Sequence, residues 1–169
     1  SYAEAVTLSP NNAALWNDWA ALYLDQGQTD RALEKLEQSL ALDQKYQDTY
    51  LLLGSAYLNQ QAWQKAVDAY DQALALNPRS IQAYSGKAFA YSRLGQTNEA
   101  IAANQSALLI DPNDFISRRN LALLYQQSGQ LDLAMQEAEA ALALAGPTDR
   151  PAIESFITQL RQQMAAAGG

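Results

Sequence analysis

Neither cysteine nor histidine occurs in the 169 residues. With them go the disulfide framework, the thiolate nucleophiles, the imidazole that serves serine nucleophiles and the common zinc ligands, leaving carboxylates for acid–base work. Glu137 and Glu139 fall on different sides of a helix, and Asp68 and Asp71 stand among polar positions, so both pairs read as solvated surface. Glycine is sparse, eight residues, and no glycine-rich phosphate loop is among them. We therefore expect no enzyme, with no catalytic residue, no cofactor and no metal. Basic residues are also few: 11 Lys and Arg against 18 Asp and Glu leave a net charge of −7, which repels a phosphate backbone and argues against nucleic acid as a partner. No run approaches the ~18 uninterrupted apolar residues of a membrane span, and the first residues lack the basic and apolar regions of a signal peptide. We expect no direct membrane insertion by this chain.

What is present is a mixture rich in Ala, Leu, Gln, Asp and Glu, 49% hydrophobic, which favours helices. It is periodic. Tyr23, Tyr57, Tyr91 and Tyr125 are evenly spaced, and Ala32, Ala66, Ala100 and Ala134 keep the same interval, as do Leu40, Leu74, Leu108 and Leu142. A fixed period of this length describes one helical hairpin copied four times, each burying its apolar face only by stacking on the next. We expect a single elongated domain over 1–169, with units at 13–46, 47–80, 81–114 and 115–148.

Each unit divides into two helical patterns about a short polar turn. Gly27, Gly95 and Gly129 supply the left-handed conformation that ends the first helix; Gln61 occupies that place in the second unit, where strain is expected. Trp16, Trp19 and Tyr23, like Tyr50, Leu53 and Tyr57, fall at i, i+3 and i+7 and form one apolar stripe per first helix. Small residues, Ala20, Gly54, Ala88 and Ala122 on the first helices and the four alanines above on the second, recur where the two helices approach closely. The second helices stop at Asp43-Gln44, Asn77-Pro78, Asp111-Pro112 and Gly146-Pro147, proline by blocking continuation.

This set of positions resembles the tetratricopeptide repeat family. Its best copy is 47–80, with Tyr50, Leu53, Gly54, Tyr57, Ala66, Tyr70, Ala73 and Pro78 at the family's offsets. The resemblance covers nearly the whole chain and implies an all-α fold, a right-handed superhelical solenoid of stacked antiparallel helix pairs. Lys87 departs from the expected Leu, Arg118 from the first aromatic, and Asn104 and Ala138 from a large side chain. The third and fourth units should pack less tightly, which a solenoid tolerates when neighbours stack well; this is favoured over a functional polar pocket. Residues 1–12 put Tyr2, Ala5, Val6, Leu8 and Pro10 in register with Tyr70, Ala73, Leu74, Leu76 and Pro78, as the tail of a preceding repeat, so a fragment of a longer protein is expected. Residues 149–165 read as a capping helix with Ile153, Phe156, Ile157, Leu160 and Met164 on one stripe.

In the resembled family the concave surface is lined by the first helix of every repeat. Carried over, these positions are Asn17, Ala21 and Leu24 in the first unit and Asp48, Leu51, Leu52, Ser55 and Leu58 in the second. They continue as Gln82, Ser85, Phe89 and Ser92 in the third unit and Ile116, Arg119, Asn120, Leu123 and Gln126 in the fourth. Leu51, Leu52, Leu58, Phe89 and Leu123 are expected to be partly exposed, marking a groove for a partner's peptide segment or amphipathic helix. The clamp by which some family members hold chaperone carboxylates does not carry over. Its sites would be Asn17, Ala21, Leu52, Gln82 and Gly86, or Leu51, Ser55, Gly86, Ile116 and Asn120, and neither set can neutralise two carboxylates. The resemblance implies a non-catalytic adaptor or scaffold in assembly of a protein complex. The alternatives are a self-assembling module, a homo-oligomer joined through the N-terminal partial repeat, and the interaction arm of a larger enzyme or membrane-anchored protein. Richness in Gln and Ala with little Lys looks bacterial, and cyanobacterial members include photosystem assembly factors. A soluble fragment at the cytoplasmic face or in the periplasm fits that composition, but localisation is not fixed by it.

Overall fold

A computed structural model describes residues 1–167, and every regular element among them is an α-helix. The chain divides into two compact units at Leu94 and Gly95. The first holds α1 (Tyr2–Leu8), α2 (Ala13–Asp25), α3 (Thr29–Leu42), α4 (Gln47–Asn59), α5 (Trp63–Leu76) and α6 (Ile81–Arg93). The second holds α7 (Thr97–Ile110), α8 (Phe115–Gln127), α9 (Leu131–Leu144) and α10 (Arg150–Ala167).

Short polar side chains start three of the hairpins. Asn12 accepts from the Ala14 amide at 3.1 Å, Ser80 from Ala83 at 3.2 Å and Asp114 from Ser117 at 2.8 Å, satisfying amides that a helix start leaves free. The turn inside each hairpin closes on a left-handed residue: φ is +70° at Gly27, +74° at Gly95, +75° at Gly129 and +57° at Gln61. In three of the four the amide beyond it reaches back to a tyrosine carbonyl, Gln28 to Tyr23 at 2.8 Å, Ala62 to Tyr57 at 2.9 Å and Gln130 to Tyr125 at 2.8 Å. Gln61 thus holds a conformation that a Cβ disfavours. Gln61→Gly should raise stability by about 0.5–1 kcal/mol in a denaturant titration, and a loss instead would show that the Gln side chain supports the turn. Three of the four second helices end on a shared side-chain turn, with or without a proline after it. Asp43, Asn77 and Asp111 each accept from the amide two residues on, at 2.8, 3.0 and 2.9 Å, whether Gln44, Pro78 or Pro112 follows.

Two adjoining clusters form the core of the first unit. One gathers Ala20, Ala32, Leu36, Leu53, Ala56 and Ala69, and the other Leu51, Ala66, Val67, Tyr70, Ala73, Ala83 and Ala90. Tyr70 is wedged between two backbones: a Cβ on Gly54 of α4 would stand 2.5 Å from its ring, and one on Gly86 of α6 would stand closer still. Burial pushes the Tyr70 phenol above its ordinary value of 10.0, against a smaller opposing effect of the Ser55 hydroxyl. A phenol whose pKa is higher folded than unfolded contributes stability below pH ~10 that is lost as pH rises through the folded value. Wild type should therefore lose stability above pH ~10 more steeply than Tyr70→Phe, measured by denaturation across that range; parallel curves would refute the coupling. In the second unit Leu121, Ala122, Leu124, Tyr125, Ala134 and Ala141 are buried, as are Ile153, Ile157 and Leu160 of α10.

Two of the four departures from the repeat pattern, Arg118 and Lys87, have local physical explanations. Arg118 does what Trp16 does at the same repeat position. Trp16 Nε1 donates to the Pro10 carbonyl at 3.1 Å, and Arg118 Nε and Nη2 donate to the Pro112 carbonyl at 2.9 and 2.7 Å. Arg118 Nη1 also donates to Glu137 at 2.8 Å. Lys87 donates to Asp71; burial opposes its charge, but the hydrogen bond and charge of Asp71 outweigh that and raise its pKa. Asn104 is buried, donates to the Ala100 carbonyl at 2.9 Å and leaves its Oδ1 without a partner. Ala138, the fourth, is buried and lines a cavity between α8, α9 and α10.

Candidate protein-interaction surface

In the first unit, α2, α4 and α6 form a pocket of about 330 Å³ lined by Asn17, Asp18, Ala21, Tyr46, Asp48, Leu51, Leu52 and Gln82. Six of these eight are positions carried over for the groove; Asp18 and Tyr46 were missed. Neither Asp18 nor Asp48 has an ion-pair partner among the described residues. Partial burial, then the charge of Asp48 and its interaction with the hydroxyl, and last the charge of Asp18, push the Tyr46 phenol up.

Two groove expectations need correcting. Asn17 and Leu51 are 4% and 8% exposed and belong to the core. The Asn17 amide donates to Thr49 Oγ1 at 3.0 Å, and Ser39 Oγ, 2.9 Å from that oxygen, reaches the Ala13 carbonyl at 3.2 Å. One repeat later the same three places carry Leu51, Ala73 and Ala83, packed in one cluster. This position faces inward because the second helix of its own hairpin and the next first helix both close over it. The polar triad was detectable as three polar residues where the following copy has three apolar ones.

The other expected positions vary. Asp48, Gln82, Phe89, Ser92, Ile116 and Leu123 are exposed, and Ala21, Leu24, Leu52, Ser55, Leu58, Ser85, Arg119, Asn120 and Gln126 are partly buried. Phe89, 50% exposed, meets Trp63 edge-on at 6.1 Å, and Arg93 lies over that indole at 5.1 Å. Trp63, on a second helix, was not anticipated. In the second unit α8, α9 and α10 line a half-open, mainly apolar cavity of about 420 Å³, to which Arg119 and Leu123 contribute. Among the described residues no group of three or more Asp or Glu converges as a metal site, and no helix is long and apolar enough to cross a membrane.

Antiparallel helix hairpins repeating at one fixed interval, with candidate sites on their first helices, define a helical-repeat protein. The chain belongs to the tetratricopeptide repeat family: three family profiles match residues 17–81, 60–117 and 120–147. Among solved structures it is similar to MamA, 29% identical with a TM-score of 0.79 over 85% of this chain and 84% of that one. It shares its fold with YrrB, described as a TPR protein with an unusual peptide-binding site, at 18% identity and a TM-score of 0.80 over 98% of this chain and 84% of that one. It also shares it with TTC0263 of Thermus thermophilus, at 24% identity and 0.77 over 93% and 87%. No curated protein matches the sequence significantly.

Proposed function

We propose that the chain is a non-catalytic adaptor that binds a segment of a partner protein along its first helices and serves in assembly of a complex. The convergence of four carried-over groove residues, Ala21, Asp48, Leu52 and Gln82, on one pocket of about 330 Å³ carries this reading. Membership of the family supports it, and the peptide-binding site described for YrrB supports it at the level of fold. The unpaired Asp18 and Asp48 beside Leu52 and Ala21 suit a segment presenting Lys or Arg next to an apolar side chain. Peptides selected from a random display library against the wild-type chain should therefore be basic. Asp48→Arg should weaken them about tenfold, while Gln72→Arg, an exposed change on α5, should leave them unaffected. Equal responses to the two variants would refute the pocket as the binding site.

A further inference from the structure

In the fourth repeat Ala138 takes the place that Leu36 fills in the first and Tyr70 in the second, both buried core side chains. Ala138 lines the half-open cavity of about 420 Å³ between α8, α9 and α10, together with Ala122, Leu123, Ala141, Ile153 and Phe156. Its one charged lining residue is Arg119, whose guanidinium lies 5.7 Å from the Phe115 ring centre. Arg118 is paired with Glu137 and Arg161 lies 3.9 Å from Glu139, but Arg119 has no acidic partner among the described residues. An unpaired cation beside an apolar void is conspicuous in a chain of net charge −7.

We propose that this cavity is a specificity pocket for a partner segment in which an aromatic side chain stands next to Asp or Glu. The ring enters the open side of the apolar cavity, against Leu123, Ile153 and Phe156, and the carboxylate pairs with Arg119. This rests on the adaptor reading and adds a second anchor to it. Apolar burial supplies the affinity, and the planar guanidinium, held against Phe115, supplies the preference for a carboxylate.

The probes are acetyl-Trp-Asp-amide and acetyl-Trp-Lys-amide, titrated into the full chain while the backbone amide signals of Ala138, Ala141 and Ile153 are followed by NMR. The Asp peptide should shift them saturably and bind at least tenfold more tightly than the Lys peptide. Ala138→Leu copies the pairing of Leu36 with Ala20 in the first repeat, so it should fold, melt higher and abolish the shifts. Arg119→Gln should keep Trp binding and lose the preference for Asp. Equal binding of the two peptides, binding retained in Ala138→Leu, or saturation by decanoate without any response to the peptides would each overturn the proposal. If the Asp peptide fails while display-selected peptides still depend on Asp48, this pocket falls and the adaptor reading stands; the opposite pattern removes the first-unit site and leaves this one.

Discussion

Gly54→Ala should destabilise the protein by about 2 kcal/mol, and adding Tyr70→Leu to it should restore at least half of the loss. The new Cβ would stand 2.5 Å from Cε1 and Cζ of the Tyr70 ring, which is rigid and has no flexible end to swing aside. The ring cannot retreat, because Gly86 of α6 closes on it even more tightly. Overpacking of this kind costs about 3 kcal/mol, offset by roughly 1 kcal/mol of better helix propensity for alanine. The rescue follows from the first repeat, where Ala20 and Leu36 occupy these two places and pack in one cluster. Chemical denaturation of the two single variants and the double variant checks it. A Gly54→Ala chain as stable as wild type would mean that the ring does not sit between the two glycines.

The second large effect belongs to Arg118. Arg118→Tyr should lower stability by about 3 kcal/mol, and Glu137→Ala in the same chain should bring it back to within about 1 kcal/mol of wild type. Arg118 and Glu137 side chains are 22% and 16% exposed, so removing the cation leaves a mostly buried carboxylate unpaired. It also removes both donors from the Pro112 carbonyl. The double variant writes into the fourth repeat the pairing of the second, Tyr50 with Ala69, and the first repeat solves the same position differently, with the Lys35 ammonium 6.0 Å from the Trp16 ring. Thermal melting of all three variants decides it, and additive losses would show that Arg118 and Glu137 act independently.

The constant interval between copies made the hairpins, their left-handed turns and the small residues at close approach legible, because each of these depends on local backbone geometry repeated in every copy. Periodicity states which residues share an environment but not which environment it is. Asn17 and Leu51 share one, and only the closing of neighbouring helices over them makes it interior. The rotation of a helix about its own axis, about 100° per residue, decides between groove and core, and a sequence pattern leaves it undetermined. The exchange of Trp16 for Arg118 was visible as a departure, yet the shared target, a proline carbonyl six residues back, needed coordinates. The sequence pattern reads Ala138 as tolerated looseness; in the structure it lines a half-open apolar cavity that has a cation in its wall.

The Asn17–Ser39–Thr49 triad makes the order of the repeats chemically non-interchangeable. Unequal recombination that removed residues 47–80 in frame would set Asn17 and Ser39 against Ala83 in place of Thr49. A buried amide and a buried hydroxyl would then lose a partner at one stroke. Although the copies look alike, the gene cannot shed this one without a fault at the join, and the count of repeats ahead of α6 is guarded by three hydrogen-bonding side chains.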